Sequence, residues 1–329
     1  MSKEIGVAVI GCGAVSASHL AALRAVPEAR LIACADVEEK RAEEKAREFG
    51  AARHYAGWEQ AVNDKEVQAV VICLPHHLHA QASLAAARAG KHILIEKPMA
   101  LSLADAKKMA HEASKAGVTL MVGQVLRYRP TYRMAKRLLK AGIIGVPSQL
   151  IRRRLMWAIE APRAWATKPA EAGGWLLYGY GSHEVDMILW LIDSRADSVF
   201  AMGKKKNPIW RDFDEISMQM SLTSGAMATL CMSLGAAGNR SWDCLVIGSE
   251  GAMLVADDRV QVGDKPIEVP RDPSAGMEPQ MRAFIDAVTK GIEPESAAEK
   301  VLPTMAALEA AKVSLRSGLP VRVESAEGG

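Results

Sequence analysis

The sequence predicts an α/β chain in two parts: a doubly wound parallel sheet with helices on both faces, then a region built on an antiparallel sheet. Three observations predict it. A β-branched run, Ile5 to Ile10, ends in Gly11-Cys12-Gly13 and passes into helix-forming residues. Short apolar runs then alternate with alanine-rich stretches as far as Val122, the pattern of βαβ units. From Val199 to Val269 the apolar residues recur at every second position, as in Ile216-Ser217-Met218-Gln219-Met220-Ser221-Leu222. That period marks antiparallel strands half buried on one face.

Strands are expected at 5–10, 30–35, 69–74, 92–95 and 119–122. Helices lie between them, including His79 to Gly90, which stops on a glycine, and Leu101 to Gly117. After Gln124 the pattern changes, and the domain boundary is placed there: residues 1–124, then 125–329. The second part reads as a helix from Thr131 to Ala141, an extended segment from Ser148 to Ala158 and a helix at 182–192. Strands follow, among them Met227 to Leu234 and Asp243 to Ile247, with turns at Ser224-Gly225 and Glu250-Gly251. Helices at 277–290 and 300–317 close the chain.

Bulk composition excludes several classes. The 329 residues are 49% hydrophobic and 24% charged, typical of a globular protein of two domains. A net charge of +3, with scattered basic residues, leaves no nucleic-acid footprint. No apolar run reaches bilayer length, and the first strand begins almost at once, so a cytoplasmic protein with no membrane partner is expected. The five cysteines form no Cys-x-x-Cys pair, and His76, His77 and His79 cannot share one helix face, so no metal site is expected.

The first turn meets two demands of a dinucleotide. Glycine lets the backbone turn tightly and approach a pyrophosphate, whose charge sits at the following helix N-terminus. Gly11, Gly13, Ala14 and Val15 are the residues expected there. Asp36 ends the second apolar run, 20 residues beyond Ser16, where an acid accepts hydrogen bonds from the adenosine ribose. A carboxylate repels a 2′-phosphate, so NAD is expected; Lys40 and Arg41 leave NADP as the less favoured cofactor.

Two clusters leave the next strands at the edge where doubly wound folds bind ligands: Cys73-Leu74-Pro75-His76-His77-Leu78-His79 and Glu96-Lys97-Pro98. Pro98 keeps Lys97 extended, aiming its side chain off the strand end. Leu74 and, after the fifth strand, Gln124 join the expected cofactor contacts. A third cluster runs from Gly173-Gly174 through Tyr178-Gly179-Tyr180-Gly181 to Ser182-His183-Glu184-Val185-Asp186. Ser182 is expected to cap a helix with His183 in its first turn, where the positive dipole end favours a neutral ring suited to accepting a proton. Asp186 shares that face.

Gly11-x-Gly13 with His19, Pro75 with His79, Glu96-Lys97-Pro98, Arg127-Tyr128, Trp165, and Gly173-Gly174 leading to His183-x-x-Asp186 together resemble the Gfo/Idh/MocA family of glucose–fructose oxidoreductase and inositol dehydrogenase-like enzymes. The similarity spans about residues 3–323. It implies an N-terminal Rossmann domain binding NAD(P) and a C-terminal α+β domain with a large, open, mainly antiparallel sheet. The last helices would return toward the Rossmann domain. The reaction implied is oxidation or reduction of one hydroxyl or carbonyl carbon of a sugar, cyclitol or related ring alcohol. Lys97 then bridges nicotinamide ribose and substrate, His183 is the acid/base, and Pro75, His79, Glu96, Arg127 and Trp165 are cofactor-side contacts. This chain departs from the pattern twice. Inositol dehydrogenase-like members carry Asp four residues before the histidine, where Gly179 stands here, and Ala166 replaces an arginine after the tryptophan. Tyr180 or Asp186 is left to support His183.

Lysine is charged at neutral pH and imidazole is largely not, so His183 is assigned the proton and Lys97 the polarising of the reacting oxygen. Arg152, Arg153 and Arg154 lie on the extended segment, with Arg152 and Arg154 on one face. If that pair faces a cleft, an acidic substrate fits; otherwise the charges blunt a strand edge. Trp157 is a candidate platform for a sugar ring. Two other functions stay open: a lyase or glycosidase that oxidises its sugar transiently with catalytic NAD, and a non-catalytic NAD-binding sensor. An uncovered sheet face, with Met218, Met220, Met227 and Met232 in core or interface, suggests a homodimer or homotetramer through the C-terminal sheet.

Overall fold

The structure is a computed structural model that describes residues 4–325. The chain divides into two compact units. The first takes residues up to Ala100, Ala104–Tyr128 and Pro273–Val301; the second takes Leu101–Leu103, Arg129–Asp272 and the residues from Leu302 on.

In the first unit six strands form one parallel sheet: β1 (Ile5–Ile10), β2 (Ala29–Ala35), β3 (Arg53–Tyr55), β4 (Ala69–Ile72), β5 (His92–Ile95) and β6 (Leu120–Val122). Their order is β3-β2-β1-β4-β5-β6, so the chain reverses direction across the sheet between β1 and β4, the switch point at which such folds bind ligands. The helices are α1 (Ala14–Arg24), α2 (Glu39–Phe49), α3 (Trp58–Asn63), α4 (His79–Arg88) and α5 (Leu103–Lys115). β1 and β4 are buried on both faces, which is why they read as unbroken β-branched runs rather than alternating ones. The short β3 and α3 carry no such run and are invisible to that signal.

The second unit begins with α6 (Pro130–Lys140), β7 (Pro147–Leu155), α7 (Pro169–Ala172), a π-helical turn at Trp175–Tyr180 and α8 (Gly181–Leu191). Strands β8 (Ala196–Lys204), β9 (Glu215–Leu222), β10 (Met227–Ser233), β11 (Ser241–Gly248), β12 (Gly251–Ala256), β13 (Val260–Val262) and β14 (Lys265–Ile267) follow. After α9 (Met277–Lys290) and α10 (Ala298–Ser317), the short β15 (Val321–Arg322) completes a nine-stranded, mainly antiparallel sheet. Its order is β14-β13-β12-β11-β7-β10-β9-β8-β15. Among the described residues of this sheet, only β7 and β10 pair in parallel.

β7 is therefore central, with β11 on one side and β10 on the other, which corrects the alternative that Arg152 to Arg154 line a sheet edge. Alternation buries Ile216, Met218, Met220 and Leu222 on β9 and Ala228, Leu230 and Met232 on β10. Met227 falls on the opposite phase and is 57% exposed, as is Met202 at 59%. α9 belongs to the first unit, where Met281, Phe284 and Ile285 enter the core shared with α1 and β1. No helix among the described residues is long and apolar enough to cross a membrane.

Candidate active site

The fingerprint turn is held from two sides. Gly11 has φ +89° and a Cβ there would stand 2.5 Å from the Cys73 carbonyl oxygen, so only glycine fits. Gly13 differs: its φ is −77° and a Cβ would meet nothing within 4 Å. The fold does not demand glycine at 13, whereas close approach of a pyrophosphate does. Helix α1 opens at Ala14 and Val15 with no side-chain cap and no acidic residue in its first turn, leaving its amide end suited to an anion. Ser16 fills the third small position, buried, its hydroxyl donating to the Gly13 carbonyl at 2.6 Å. Asp36 accepts the Cys12 amide at 2.7 Å and the Glu38 amide at 2.9 Å. Each carboxylate oxygen keeps acceptor capacity for a ribose hydroxyl. These residues fit a dinucleotide.

Glu96 and Lys97 follow directly on β5, and the Lys97–Pro98 peptide is cis. Glu96 Oε1 lies 2.7 Å from His19 Nε2 on α1, and Oε2 accepts the Lys97 amide at 3.2 Å. Burial pushes the Glu96 carboxyl up, but the hydrogen bond and charge of His19 together with the Lys97 charge outweigh it and hold it below its ordinary value. His79, fully buried at the start of α4, has Nδ1 2.7 Å from the Pro98 carbonyl and Nε2 2.8 Å from the Leu74 carbonyl. It thus ties the loop after β4 to the loop after β5. Burial lowers its pKa against those two carbonyls, and a neutral ring donates to only one of them at a time. Pro75 opens the short 3-10 turn His76–Leu78.

Gln124, just past β6, is buried. The Arg127 guanidinium donates to the carbonyls of Glu295 at 2.6 Å and Lys300 at 3.2 Å. These bonds hold Arg127 to the segment before α10 and to its first turn, within the first unit.

His183, Tyr180 and Asp186 belong to the second unit. The helix lies where expected, with His183 in the first turn of α8, but the expected cap does not hold. The π-helical turn at Trp175–Tyr180 runs straight into α8, and no side chain caps α8, so Ser182 is not its cap. A helical turn thus precedes α8, so His183 does not stand at a free helix N-terminus and the dipole argument for a neutral ring falls. Asp186 is fully buried and accepts the Thr304 hydroxyl at 2.9 Å. A Cβ on Gly179 would stand 3.1 Å from Trp175 Cε3, so the indole occupies the space an acid would need. Trp175 in turn meets Trp165 and Tyr180 edge to face and stacks parallel to Trp210.

Arg152 and Arg154 do share a face, but it is buried beneath α8. Arg152 has no exposed surface; its Nε donates to Glu184 Oε2 at 2.5 Å and its two Nη atoms to the Tyr132 hydroxyl at 3.4 Å. It is therefore a structural cation, which corrects its expected place in substrate binding. Arg154 stacks 3.5 Å from the Trp242 ring centre and 4.9 Å from that of Tyr180. Trp157 is 53% exposed. Glu184 was missed from the sequence, although acids set among the apolar residues Val185, Met187, Ile188, Leu189 and Trp190 signal buried partners.

Residues 5–124 match the family model described as "Oxidoreductase family, NAD-binding Rossmann fold", and residues 132–254 match the "GFO/IDH/MocA C-terminal domain". A 4-carboxy-2-hydroxymuconate-6-semialdehyde dehydrogenase from Sphingobium sp. is 28% identical, over 94% of this chain and 98% of its own. A myo-inositol 2-dehydrogenase from Thermotoga maritima is 26% identical over 98% and 99%. A levoglucosan dehydrogenase solved with NADH superposes with a TM-score of 0.91 at 22% identity, covering 98% of this chain and 100% of that one; this likeness is one of fold.

Proposed function

The chain belongs to the Gfo/Idh/MocA oxidoreductase family, and from that premise we propose that it transfers a hydride between NAD(H) and a CH–OH carbon of a sugar, cyclitol or related ring alcohol. NAD, when bound, supplies the hydride acceptor or donor at its nicotinamide ring. Lys97 polarises the reacting oxygen, His183 exchanges its proton, and Asp36 with the fingerprint turn holds the adenosine end. The observation that carries the reading is the bracing of Lys97. Its amide is bound by Glu96, Glu96 is bound by His19 of the fingerprint helix, and the Pro98 carbonyl is held by His79. A surface lysine in a turn needs none of these supports.

An acidic substrate is supported by two arginines sharing one carboxylate in the second unit, and the relative named for a carboxylated semialdehyde favours the same choice. The exposed Met202 and Met227 on the large sheet support a homodimer or homotetramer through that face. Purified protein with NAD, screened against polyols, aldoses and uronates at the NADH absorbance, tests the reading; no NADH from any of them counts against it.

Gly179 favours a second reading, transient sugar oxidation with catalytic NAD, since the acid of the inositol dehydrogenase-like dyad is absent. Stoichiometry separates the two. A dehydrogenase accumulates NADH in proportion to product, whereas the second enzyme converts many equivalents of sugar per NAD.

A further inference from the structure

The buried face of β7 carries one more positive charge than its neighbours neutralise. Arg152 and Arg154 share a single carboxylate, Glu184, which is fully buried. The nearby acids are otherwise engaged: Asp257 pairs with Arg129 at 2.6 Å and Asp243 with Arg153, on the opposite face, at 2.7 Å. Tyr132, Tyr180 and Cys244 complete the titratable groups around the pair. Arg152 takes the near oxygen of Glu184. Arg154 Nη1 is left 3.5 Å from the far oxygen, in salt-bridge range without a hydrogen bond.

Three buried polar atoms in this cluster lack a hydrogen-bond partner: Arg154 Nη1, Glu184 Oε1 and Trp242 Nε1. Arg154 itself is 9% exposed, and its guanidinium carbon lies 3.5 Å from the Trp242 ring centre and 4.9 Å from that of Tyr180. Aromatic faces steady a guanidinium but supply no acceptor. A buried cation with an unsatisfied donor is costly, and an incoming anion removes that cost. A planar carboxylate matches the guanidinium fork best. The placement is also pointed: His183 is the neighbour of Glu184 on α8, so the helix that supplies the carboxylate nearest Arg154 also carries His183.

We propose that Arg154 is the residue that selects the substrate, receiving a carboxylate on the ring alcohol whose hydroxyl His183 serves. This deepens the hydride-transfer reading and rests on it for the role of His183. Carboxylated ring alcohols, not their neutral counterparts, are then the substrates. Trp242 sits against the guanidinium and reports its occupancy.

The test is equilibrium binding by tryptophan fluorescence on the full chain with NADH present. The probes are D-galacturonate, D-glucuronate and isophthalate, with D-galactose and D-glucose as neutral partners. At least one acid is expected to bind saturably and ten-fold or more tighter than the neutral sugars. Arg154→Met should lose that margin, Arg154→Lys should keep part of it, and Arg153→Met should leave it intact. No saturable acid binding, equal binding of the sugars, or an undiminished margin in Arg154→Met overturns the proposal. So does an Arg154→Met variant that instead loses affinity for NADH alone, since the charge would then serve the cofactor. Turnover is measured separately with the two uronates, since isophthalate has no hydroxyl to oxidise: uronate binding without NADH formation from NAD would retain the anion site and count against hydride transfer on these acids.

Discussion

Nε2 of His19, on the helix that opens the dinucleotide fingerprint, lies 2.7 Å from Oε1 of Glu96, the residue before the candidate polarising lysine. One largely buried contact thus ties the cofactor turn to the strand end that carries Lys97, so a change at either partner acts on both the turn and the lysine.

Glu96 makes that tie pH-dependent. Its folded pKa is lowered relative to the unfolded chain, despite burial, by His19 and Lys97. The stabilisation is therefore complete above the unfolded carboxylate value of about 4.3 and fades as pH falls through the folded value. Glu96→Gln should cost about 1.5–3 kcal/mol near neutrality, the range for hydrogen bonds to charged groups. Urea midpoints measured from pH 7 down to pH 3 should converge for the two proteins. A constant gap over that range would assign the loss to packing rather than to charge.

Lys97→Met keeps the length of the side chain and removes its charge. Loss of one preorganised electrostatic contact of this kind costs about 10²–10³-fold in kcat. NAD affinity, read by quenching of tryptophan fluorescence, should change only a few-fold, because the fingerprint turn and Asp36 are untouched. Comparable kcat in the variant would remove Lys97 from the chemistry.

His183→Ala should lower kcat for alcohol oxidation by about 10²–10⁴-fold, the usual contribution of a positioned acid/base. It should also flatten the acid limb of the pH–rate profile. An unchanged limb would mean that the titrating base lies elsewhere, with Tyr180 the next residue to vary.

The parallel sheet was legible because β1, β4 and β5 are buried on both faces and their sequences say so with unbroken apolar runs. Lys97 was legible because a proline fixes the strand end. What the sequence concealed were partners distant along the chain. Nothing in Arg152-Arg153-Arg154 announces that Glu184 and Tyr132 lie beneath two of the three, so a buried ion cluster looked like an open cleft or a strand edge. The π-helical turn was concealed for a local reason: Gly174, Gly179 and Gly181 read as a loop, and the hydroxyl of Ser182 read as a cap. Arg127 has distant partners too, the carbonyls of Glu295 and Lys300, in a segment no motif singled out.

Asp36 serves two ends, holding the Cys12 amide in the turn and offering acceptors to a ribose. Asp36→Ser should weaken NAD binding about ten-fold while narrowing the gap to NADP, because the carboxylate that repels a 2′-phosphate is gone. Isothermal titration with both cofactors checks this. Loss of NAD affinity with the NADP gap unchanged would confine Asp36 to bracing the turn.

Gly179 offers the sharpest steric prediction. An added Cβ would meet Trp175 at 3.1 and 3.2 Å, and the indole cannot give way easily. It is stacked on Trp210 with ring centres 6.4 Å apart, and Trp165 and Tyr180 close on its edges. Gly179→Ala isolates the overpacking and should cost about 1–3 kcal/mol. Gly179→Asp adds a carboxylate against an apolar ring and should cost more, without raising activity, because the acid has no room to reach His183. Combining Gly179→Asp with Trp175→Ala should recover part of the loss if the clash is the cause. Thermal midpoints of the three variants decide it: a Gly179→Asp protein as stable as the parent would show that Trp175 is not what keeps an acid out of this position.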